Sequence, residues 1–348
     1  PTADHIRKMG DKAEARRLAR EAGVPIVPGS EGPIADADEA VVVARDLSFP
    51  VIIKATAGGG GKGMRVATDE DDFARHFHLA RSERLAAFGS DSVYLEKYLA
   101  RPRHVEIQVM GDAHGRLVHL NERDCSVQRR HQKLIEEAPS PALTPELRAA
   151  MGDAAVRLAR NIGYVGAGTI EFLLNGDGQF YFMEMNTRIQ VEHPVTEMAT
   201  DVDLVKEQIR VAAGEPLSIP EGGLALRGHV IECRVNAEDP ARNFQPSPGQ
   251  LTTFHPPGGP GVRVDTHIYA GYHVPPYYDS LLAKVIVHGH DRTEALARMH
   301  QALDSFIIEG VTTTIPFLSR VIQHPAFQAG AVDTKFLERE SHLMEDPA

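Results

Sequence analysis

Two carboxylates and one amide on a predicted β-hairpin have the types and spacing of a cation site. Residues 169–186 form two alternating runs around Asn-Gly-Asp-Gly, which is a strong hairpin signal. If the last Asp-Gly of that motif is the turn, Glu171 lies directly opposite Glu184. The same register places Thr169 opposite Asn186. Like charges that face each other are destabilising, and Mg²⁺ would remove that repulsion because it prefers carboxylate and amide oxygens.

The alternative is a hairpin of different register, for instance with a three-residue turn, whose carboxylates lie on a solvated face. The hairpin alone leaves both interpretations open. The residues that follow favour a site, because polar side chains continue at every second position: Glu184, Asn186, Arg188, Gln190 and Glu192. Such a line is costly to bury and unnecessary for a plain strand, so it predicts contact with a charged, oxygen-rich substrate. Its length requires the far end to bend back toward the same ligand.

Two further segments offer groups that bind phosphate or other anions. In residues 54–63, Lys54 and Lys62 accompany a run of glycines. This stretch fails as a dinucleotide fingerprint, which needs a helix next, and as a Walker A loop, which needs Ser or Thr after its Lys. We interpret it as a hairpin tip that closes over phosphates, with a plain surface loop as the alternative. Residues 128–133 form a basic run before Glu136 and Glu137, for which solvated surface is the alternative.

The rest of the sequence predicts the elements that position these groups. Helices are expected at residues 4–22, 38–47, 144–162 and 292–309. Strands are expected at residues 49–54, 64–67, 93–97 and 104–110. After Leu226 the short strands, prolines and Gly-rich turns predict a smaller, strand-rich final domain.

Composition limits the class of protein. The chain has 348 residues and 42% hydrophobic content, which is enough for two or three cores. Its net charge of -11 is spread along the sequence, which argues against nucleic acid as a partner. Cys125 and Cys233 are too few for a disulfide framework and indicate a reducing, cytoplasmic compartment. No apolar run reaches the roughly 20 residues that span a bilayer, so no membrane partner is expected. The N-terminus is not a signal peptide and lacks an initiator Met, which indicates an origin in a longer chain.

Together these residues resemble the biotin carboxylase family over almost the whole chain. Glu184-Met-Asn-Thr-Arg-Ile-Gln-Val-Glu-His-Pro194 is close to a signature that biotin carboxylases share with carbamoyl-phosphate synthetases. The motifs that favour the carboxylases are Pro102-Arg-His-Val-Glu-Ile-Gln108, Glu122-Arg-Asp-Cys-Ser126, Arg129-Arg-His-Gln-Lys133, Glu232-Cys-Arg-Val-Asn-Ala-Glu-Asp239, Tyr269-Ala-Gly-Tyr272 and Pro275-Pro-Tyr-Tyr-Asp-Ser280.

The resemblance implies an α+β chain with an ATP-grasp fold, a glycine-loop lid subdomain and a smaller, strand-rich biotin carboxylase C-terminal domain. It implies four segments: a linker helix at 1–25, the lid at 26–98, the ATP-grasp core with the metal and bicarbonate sites at 99–225, and the C-terminal domain at 226–348.

The resemblance also implies roles for individual residues. The magnesium or manganese ions on ATP would be held by Glu171, Glu184 and Asn186. Bicarbonate would be bound by Lys133, Arg188, Gln190, Val191 and Glu192. Among the catalytic residues, Lys133, Arg188, Glu192 and Arg234, the general base would be Glu192, and Arg234 would stabilise the biotin enolate. The nucleotide would be bound by Lys12, Lys54, Gly58, Gly59, Gly60, Gly61, Gly63, Met64, Glu96, Leu99, His104, Gln128, His131 and Leu173.

The implied reaction begins when Glu192 removes the bicarbonate proton and the nucleophile attacks the γ-phosphorus of ATP, which gives carboxyphosphate and ADP. Carboxyphosphate decomposes to CO₂ and phosphate, the phosphate takes the N1 proton of biotin, and the enolate captures CO₂. The chain has no Met-Lys biotin-acceptor motif, so a biotin carboxyl carrier protein or domain is an expected partner. A carboxyltransferase component is the other. The parent is either a free subunit of acetyl-CoA carboxylase or part of a larger acyl-CoA or pyruvate carboxylase.

Family members carry a further Rossmann-like domain before the start of this sequence. That domain contributes to the biotin pocket and to homodimer contacts, so a homodimer is expected when it is present. One alternative is therefore a truncated fragment that binds ATP without carboxylating biotin. Another is a different ATP-grasp ligase, such as a carbamoyl-phosphate synthetase domain, although the motifs around Lys133 and Arg234 count against it.

Overall fold

The computed structural model describes residues 1–32, 34–55, 64–88, 93–220 and 224–345. The predicted glycine loop, including Gly58, Gly59, Gly60, Gly61 and Gly63, lies outside the described residues. The strands are β1 (Val51–Ala55), β2 (Met64–Ala67), β3 (Val93–Lys97), β4 (Arg103–Gly111), β5 (Leu117–Arg129), β6 (Gln132–Ala138), β7 (Gly166–Leu174), β8 (Phe180–Asn186), β9 (His229–Asn236), β10 (Glu238–Asp239), β11 (Gln245–Pro246), β12 (Gly249–Gln250), β13 (Thr253–His255), β14 (Val262–Thr266), β15 (His273–Val274), β16 (Leu281–Gly289) and β17 (Ile307–Glu309). The α-helices are α1 (Ala3–Gly10), α2 (Lys12–Glu21), α3 (Ala37–Leu47), α4 (Glu70–Phe88), α5 (Pro145–Asn161), α6 (His193–Thr200), α7 (Leu204–Ala212), α8 (Arg292–Ser305), α9 (Ile315–Gln323), α10 (Pro325–Gln328) and α11 (Phe336–Arg339).

This mixture of helices and strands agrees with the predicted α+β class. By compactness the chain divides into two units, one of Pro1–Val24 with Arg103–Ala348 and one of Pro25–Pro102. The four-segment division remains a prediction. None of the described helices has both the length and the apolar character to cross a membrane.

The smaller unit is a three-stranded antiparallel sheet with helices packed on it. The strand order is β2-β1-β3, and β1 pairs with both neighbours. Val51 and Ile53 alternate toward a core that also contains Phe73 and Phe77 of α4. A fully buried side chain of this size contributes roughly 1.5–3 kcal/mol, so this face holds the sheet and its helices together.

The larger unit is built on an eight-stranded antiparallel sheet of order β14-β16-β9-β6-β5-β4-β7-β8. α8 packs against β16 and β9 over a core that includes Val285 and Met299. The alternate residues of β9 and β16, such as Val230 and Ile286, lie on the opposite face of the sheet and pack with Val195 of α6. Because the central strands are covered on both faces, a polar side chain in them is buried and needs a partner.

Two of the predicted helices are corrected by the structure. The helix predicted at residues 4–22 is broken at Asp11, whose carboxylate accepts hydrogen bonds from the N–H groups of Ala13 and Glu14 and caps α2. The helix predicted at residues 292–309 ends at Ser305, and the β-branched residues after it form β17, which pairs with β13. The helices predicted at residues 38–47 and 144–162 are confirmed as α3 and α5.

Candidate active site

The β7–β8 hairpin has the predicted pairing but reaches it by a different route. Glu171 lies opposite Glu184 and Thr169 opposite Asn186, as expected. The turn, however, is a three-residue loop, because Asn175 N–H donates to the Gln179 carbonyl at 2.8 Å. A β-bulge next to Glu171 adds one residue to β8 and restores the expected register. The predicted two-residue turn is therefore wrong, and the two deviations cancel.

The polar line after Glu184 bends as its length requires. β8 ends at Asn186, and Glu192 lies at the N-terminus of α6. The bend brings Gln190 back to the hairpin, where its amide donates to Glu171 Oε1 at 2.8 Å. Asn186 donates to the same oxygen at 2.9 Å.

The centre of the site is the ammonium group of Lys133 on β6. Its Nζ donates hydrogen bonds to Glu106 Oε2 at 2.5 Å, Glu171 Oε1 at 3.0 Å and Glu192 Oε1 at 2.7 Å. These three carboxylates come from β4, β7 and the start of α6, and all are buried. A single cation therefore joins three segments that are distant in sequence.

The charges of this cluster are set by competition between burial and ion pairing. Burial opposes ionisation of Glu106, but Lys133 and Arg123 outweigh it and lower the pKa of Glu106 to about 2. Burial also opposes ionisation of Glu171, whose pKa is nevertheless lowered by His104 and Lys133. Burial would lower the pKa of Lys133, but the surrounding carboxylates, Glu106 above all, raise it well above its usual value. Lys133, Glu106 and Glu171 are therefore all charged at neutral pH.

Arg123 on β5 supports this cluster from behind, and sequence reasoning gave it no role. Its guanidinium is fully buried and donates to Glu106 Oε1 at 2.6 Å and to Gln190 Oε1 at 3.0 Å. It also donates to Gln108, Thr169 and Thr196. The signal was the polar run Asn-Glu-Arg-Asp in the middle of a strand, since buried strands rarely carry such a run without a site.

Arg234 on β9 completes the site beside Glu192. Its NH2 group donates to Glu192 Oε2 at 2.8 Å, and its Nε donates to Glu136 Oε1 at 2.7 Å. Lys284 on β16 donates to the main-chain carbonyl of Val191 at 3.0 Å and so holds the segment that carries Glu192. Glu192 thus has one carboxylate oxygen on Lys133 and the other on Arg234.

The residues predicted to hold a metal fit a divalent cation by their donor set. Glu171, Glu184 and Asn186 present oxygens on neighbouring strands, and the carboxylate of Glu184 has no hydrogen-bond partner in the described part of the chain. Asn186 Oδ1 accepts from Arg188 at 3.1 Å, a contact that a metal would replace. His104, Glu106 and Glu171 also lie close together, but both carboxylate oxygens of Glu106 already accept from cations, Oε1 from Arg123 and Oε2 from Lys133.

The predicted nucleotide residues are divided between the two units. In the larger unit, His104 is a cross-strand partner of Leu173, and its Nε2 lies 3.0 Å from the Glu171 carboxylate. Gln128 is buried at the end of β5, His131 lies in the following turn, and Lys12 begins α2, which packs against β8.

In the smaller unit, Lys54 on β1 pairs across the sheet with Met64 on β2 and makes an ion pair with Glu96 on β3. Leu99 follows β3 and is half-buried. The assignment of these residues to a nucleotide remains a prediction.

Two family profiles match the chain. "Carbamoyl-phosphate synthase L chain, ATP binding domain" matches residues 11–220, and "Biotin carboxylase C-terminal domain" matches residues 232–339. A biotin carboxylase of Nostoc sp. is 56% identical over 97% of this chain and 76% of its own length. The chloroplastic biotin carboxylase 1 of Populus trichocarpa is 56% identical over 100% of this chain and 66% of its own length.

Solved structures of biotin carboxylase domains are also similar to this chain. The biotin carboxylase domain of a thermophilic 2-oxoglutarate carboxylase bound to bicarbonate has a TM-score of 0.94 and 46% identity, over 99% of this chain and 76% of that one. The Hydrogenobacter thermophilus 2-oxoglutarate carboxylase domain, a dimer with MgADP and bicarbonate, has a TM-score of 0.89 and 48% identity, over the same shares of the two chains, 99% and 76%.

Proposed function

The chain belongs to the biotin carboxylase family, and from that premise we propose that it uses ATP, Mg²⁺ or Mn²⁺, and bicarbonate to carboxylate biotin. The observation that carries the proposal is the position of Glu192. Its two carboxylate oxygens accept hydrogen bonds from Lys133 at 2.7 Å and from Arg234 at 2.8 Å. A base held in this way is oriented between the groups proposed to bind bicarbonate and the group proposed to bind biotin.

Bicarbonate would bind to Lys133, Arg188, Gln190 and the main chain of Val191. Glu192 then accepts the bicarbonate proton, and the freed oxygen attacks the γ-phosphorus of ATP. The new O–P bond forms as the bond to ADP breaks, which gives carboxyphosphate. Positioned cations provide most of the acceleration in phosphoryl transfer, and Lys133 is already fixed by three carboxylates.

Carboxyphosphate then decomposes to CO₂ and phosphate. The phosphate accepts the N1 proton of biotin, and Arg234 holds the resulting enolate while it captures CO₂. Arg234 is suited to this role because its side chain is largely buried and anchored through Nε to Glu136, so the guanidinium needs little reorganisation.

Glu171, Glu184 and Asn186 would hold the divalent cation, which neutralises charge on the phosphate oxygens when bound. Lys133 and Asn186 also donate hydrogen bonds to Glu171, and Arg188 donates to Asn186.

The expected partners are a biotin carboxyl carrier protein or domain, a carboxyltransferase component and a second copy of the enzyme in a homodimer. Relatives named as biotin carboxylases and as a pyruvate carboxylase subunit support this biotin-dependent setting. We place the protein in the cytoplasm because Cys125 and Cys233 are both free and buried. The chloroplastic relatives make a plastid the alternative.

ADP release by the purified chain with Mg-ATP and bicarbonate, with and without free biotin, tests the proposal. The comparison is a longer form that carries the additional residues of its relatives at the N-terminus. Biotin-stimulated turnover in this chain would support the proposal directly. Turnover in the longer form alone would mean that this chain is an inactive part of the enzyme. No ADP release by either protein would reject the proposed function.

Replacement of Glu184 by glutamine is expected to weaken the apparent Mg²⁺ affinity in nucleotide binding by about tenfold or more, because one ligand carboxylate is lost. Without metal the same variant should be more stable by about 0.2–1 kcal/mol, since the repulsion between Glu184 and Glu171 is removed. Mg²⁺ titration of nucleotide binding and urea unfolding measure the two effects. Asp177→Asn, at the exposed tip of the same hairpin, is the control. An unchanged Mg²⁺ titration in Glu184→Gln would exclude this ligand.

A further inference from the structure

A second pair of facing carboxylates lies beside the site, between β6 and β9. Glu136 and Glu232 are direct cross-strand partners, and both are fully buried. Neither carboxylate oxygen of Glu232 has a hydrogen-bond partner among the described residues, and neither has Oε2 of Glu136. The remaining oxygen, Glu136 Oε1, accepts from Arg234 Nε at 2.7 Å.

Two ionised carboxylates are not stable in this position. Residues directly opposite in an antiparallel pair are close neighbours, and a buried charge without a partner is strongly unfavourable. The facing pair of Glu171 and Glu184 differs, because Glu184 is only half-buried and Glu171 is held by Lys133. Glu232 has no such cation in hydrogen-bond contact within the described chain.

A metal ion is not expected to relieve the repulsion between Glu136 and Glu232, because cationic side chains of the surrounding elements already lie near them. The charged and titratable groups that face the pair are Cys125 of β5, Lys133 of β6, Arg234 of β9, Lys284 of β16 and Glu192 at the start of α6. α6 also carries His193 and Glu197, and Glu197 is held by Arg263. A proton removes the repulsion without bringing a further divalent charge among these cations.

We propose that Glu136 and Glu232 hold one proton between them and thereby limit the negative charge that faces Arg234. They are positioning residues: Glu136 anchors Arg234 through Nε, while the shared proton keeps the guanidinium from being neutralised by three carboxylates at once. The inference rests on the proposed function for its purpose, since Arg234 is the group assigned to the biotin enolate.

The electrostatic environment agrees with a shared proton. Burial raises the pKa of Glu232 well above its usual value, and the neighbouring Glu136 raises it further. Burial also raises the pKa of Glu136 to about 7, against the opposing effect of Arg234. Two groups that interact this closely titrate as a pair, with the first proton lost more easily than the second.

Infrared difference spectroscopy of Glu232→Gln against the unchanged chain at about pH 8 tests the shared proton, because this pH lies above the pKa of about 7 that burial gives Glu136. We expect the unchanged chain to show a C=O band of a protonated carboxyl group that is missing in the variant, because the remaining carboxyl group of Glu136 is ionised at this pH and paired with Arg234. Loss of a carboxylate band instead would show that Glu232 is ionised and would overturn the proposal. Glutamine has the shape of a protonated glutamic acid, so the variant is expected to fold.

Glu137→Gln is the matched control. Glu137 is the next residue on β6 and is equally buried, but it is paired with His229 and Arg292, each at 2.7 Å. This variant should keep the protonated-carboxyl band and lose a carboxylate band. The spectra need no turnover, so a failure of the proposed function in the ADP assay is distinguishable from a failure of the proton pair.

The functional consequence is an alkaline limit on biotin-dependent ADP release. Loss of the shared proton at high pH adds a negative charge beside Arg234. The guanidinium is then attracted more strongly to Glu136 and Glu232 and is less available to the substrate. In Glu232→Gln that ionisation is absent, so the alkaline limb should move to higher pH by about one unit or more, until another group of the site ionises. Glu137→Gln should keep the original limb. Superimposable profiles for Glu232→Gln and the unchanged chain would refute the role assigned to the pair.

Discussion

Replacement of Glu192 by glutamine is expected to lower bicarbonate-dependent ADP release by about 10²–10⁴-fold, the usual contribution of a positioned general base. Glutamine fills the same space but cannot accept the bicarbonate proton. It also turns one acceptor into an N–H donor facing Lys133 or Arg234, both of which are cations. Mg-ATP binding, by contrast, should change little, because no predicted nucleotide residue depends on Glu192 for a hydrogen bond in the described structure.

Steady-state ADP release and calorimetric titration of Mg-ATP measure these two effects separately. Glu197→Gln is the control, because Glu197 lies on the same helix and is held by Arg263 at 2.7 Å. It should retain bicarbonate-dependent turnover. A Glu192→Gln protein that no longer binds nucleotide, or one that still cleaves ATP with bicarbonate at the original rate, would contradict the base assignment.

Lys133→Met should lower the free energy of unfolding by about 3–5 kcal/mol and abolish bicarbonate-dependent turnover. Removal of one partner from a buried ion pair leaves uncompensated charge, and here three buried carboxylates would share that loss. Urea unfolding at neutral pH measures the destabilisation. Lys335→Met is the control, because its exposed ion pair with Glu338 contributes at most about 1 kcal/mol.

The pH dependence of the same comparison has a defined sign. The pKa of Glu106 is lowered from 4.5 to about 2, so its ion pair contributes stability above pH 4.5 and loses it as the pH falls toward the folded value. The difference in unfolding free energy between the unchanged chain and Lys133→Met should therefore narrow as the pH is lowered below about 4.5. A difference that stays constant down to pH of about 3 would show that Glu106 is not held by Lys133.

Local patterns predicted the helices and the hairpin well where one physical signal dominated. The capping residue Thr144 and the following proline located the start of α5, since both act within one turn of the helix. The break at Asp11 was missed because the run rich in Ala, Arg and Glu after it has high helix propensity, which outweighed the poor helix former Gly10 just before it. The pairing of Glu171 with Glu184 was predicted, while its loop length and bulge were not.

The cluster around Lys133 could be anticipated only as a set of residues and not as an arrangement. Glu106, Glu171 and Glu192 lie 27, 38 and 59 positions from Lys133 in the sequence. They meet because β6, β5, β4 and β7 are successive neighbours in one sheet and because the chain bends after β8. Arg123 was overlooked for the same reason, since its value lies in five contacts that come from other segments.

By itself, the sequence determined the family, the type of each functional side chain and the one-sided polar line that ends at Glu192. The charge of each acid was decided by the tertiary structure. Glu136 and Glu137 are adjacent and chemically identical, yet burial raises the pKa of Glu136, whereas His229 and Arg292 overcome burial and lower that of Glu137. Ionisation depends on desolvation and on charges a few ångströms away, and in a sheet these come from strands that are distant in sequence.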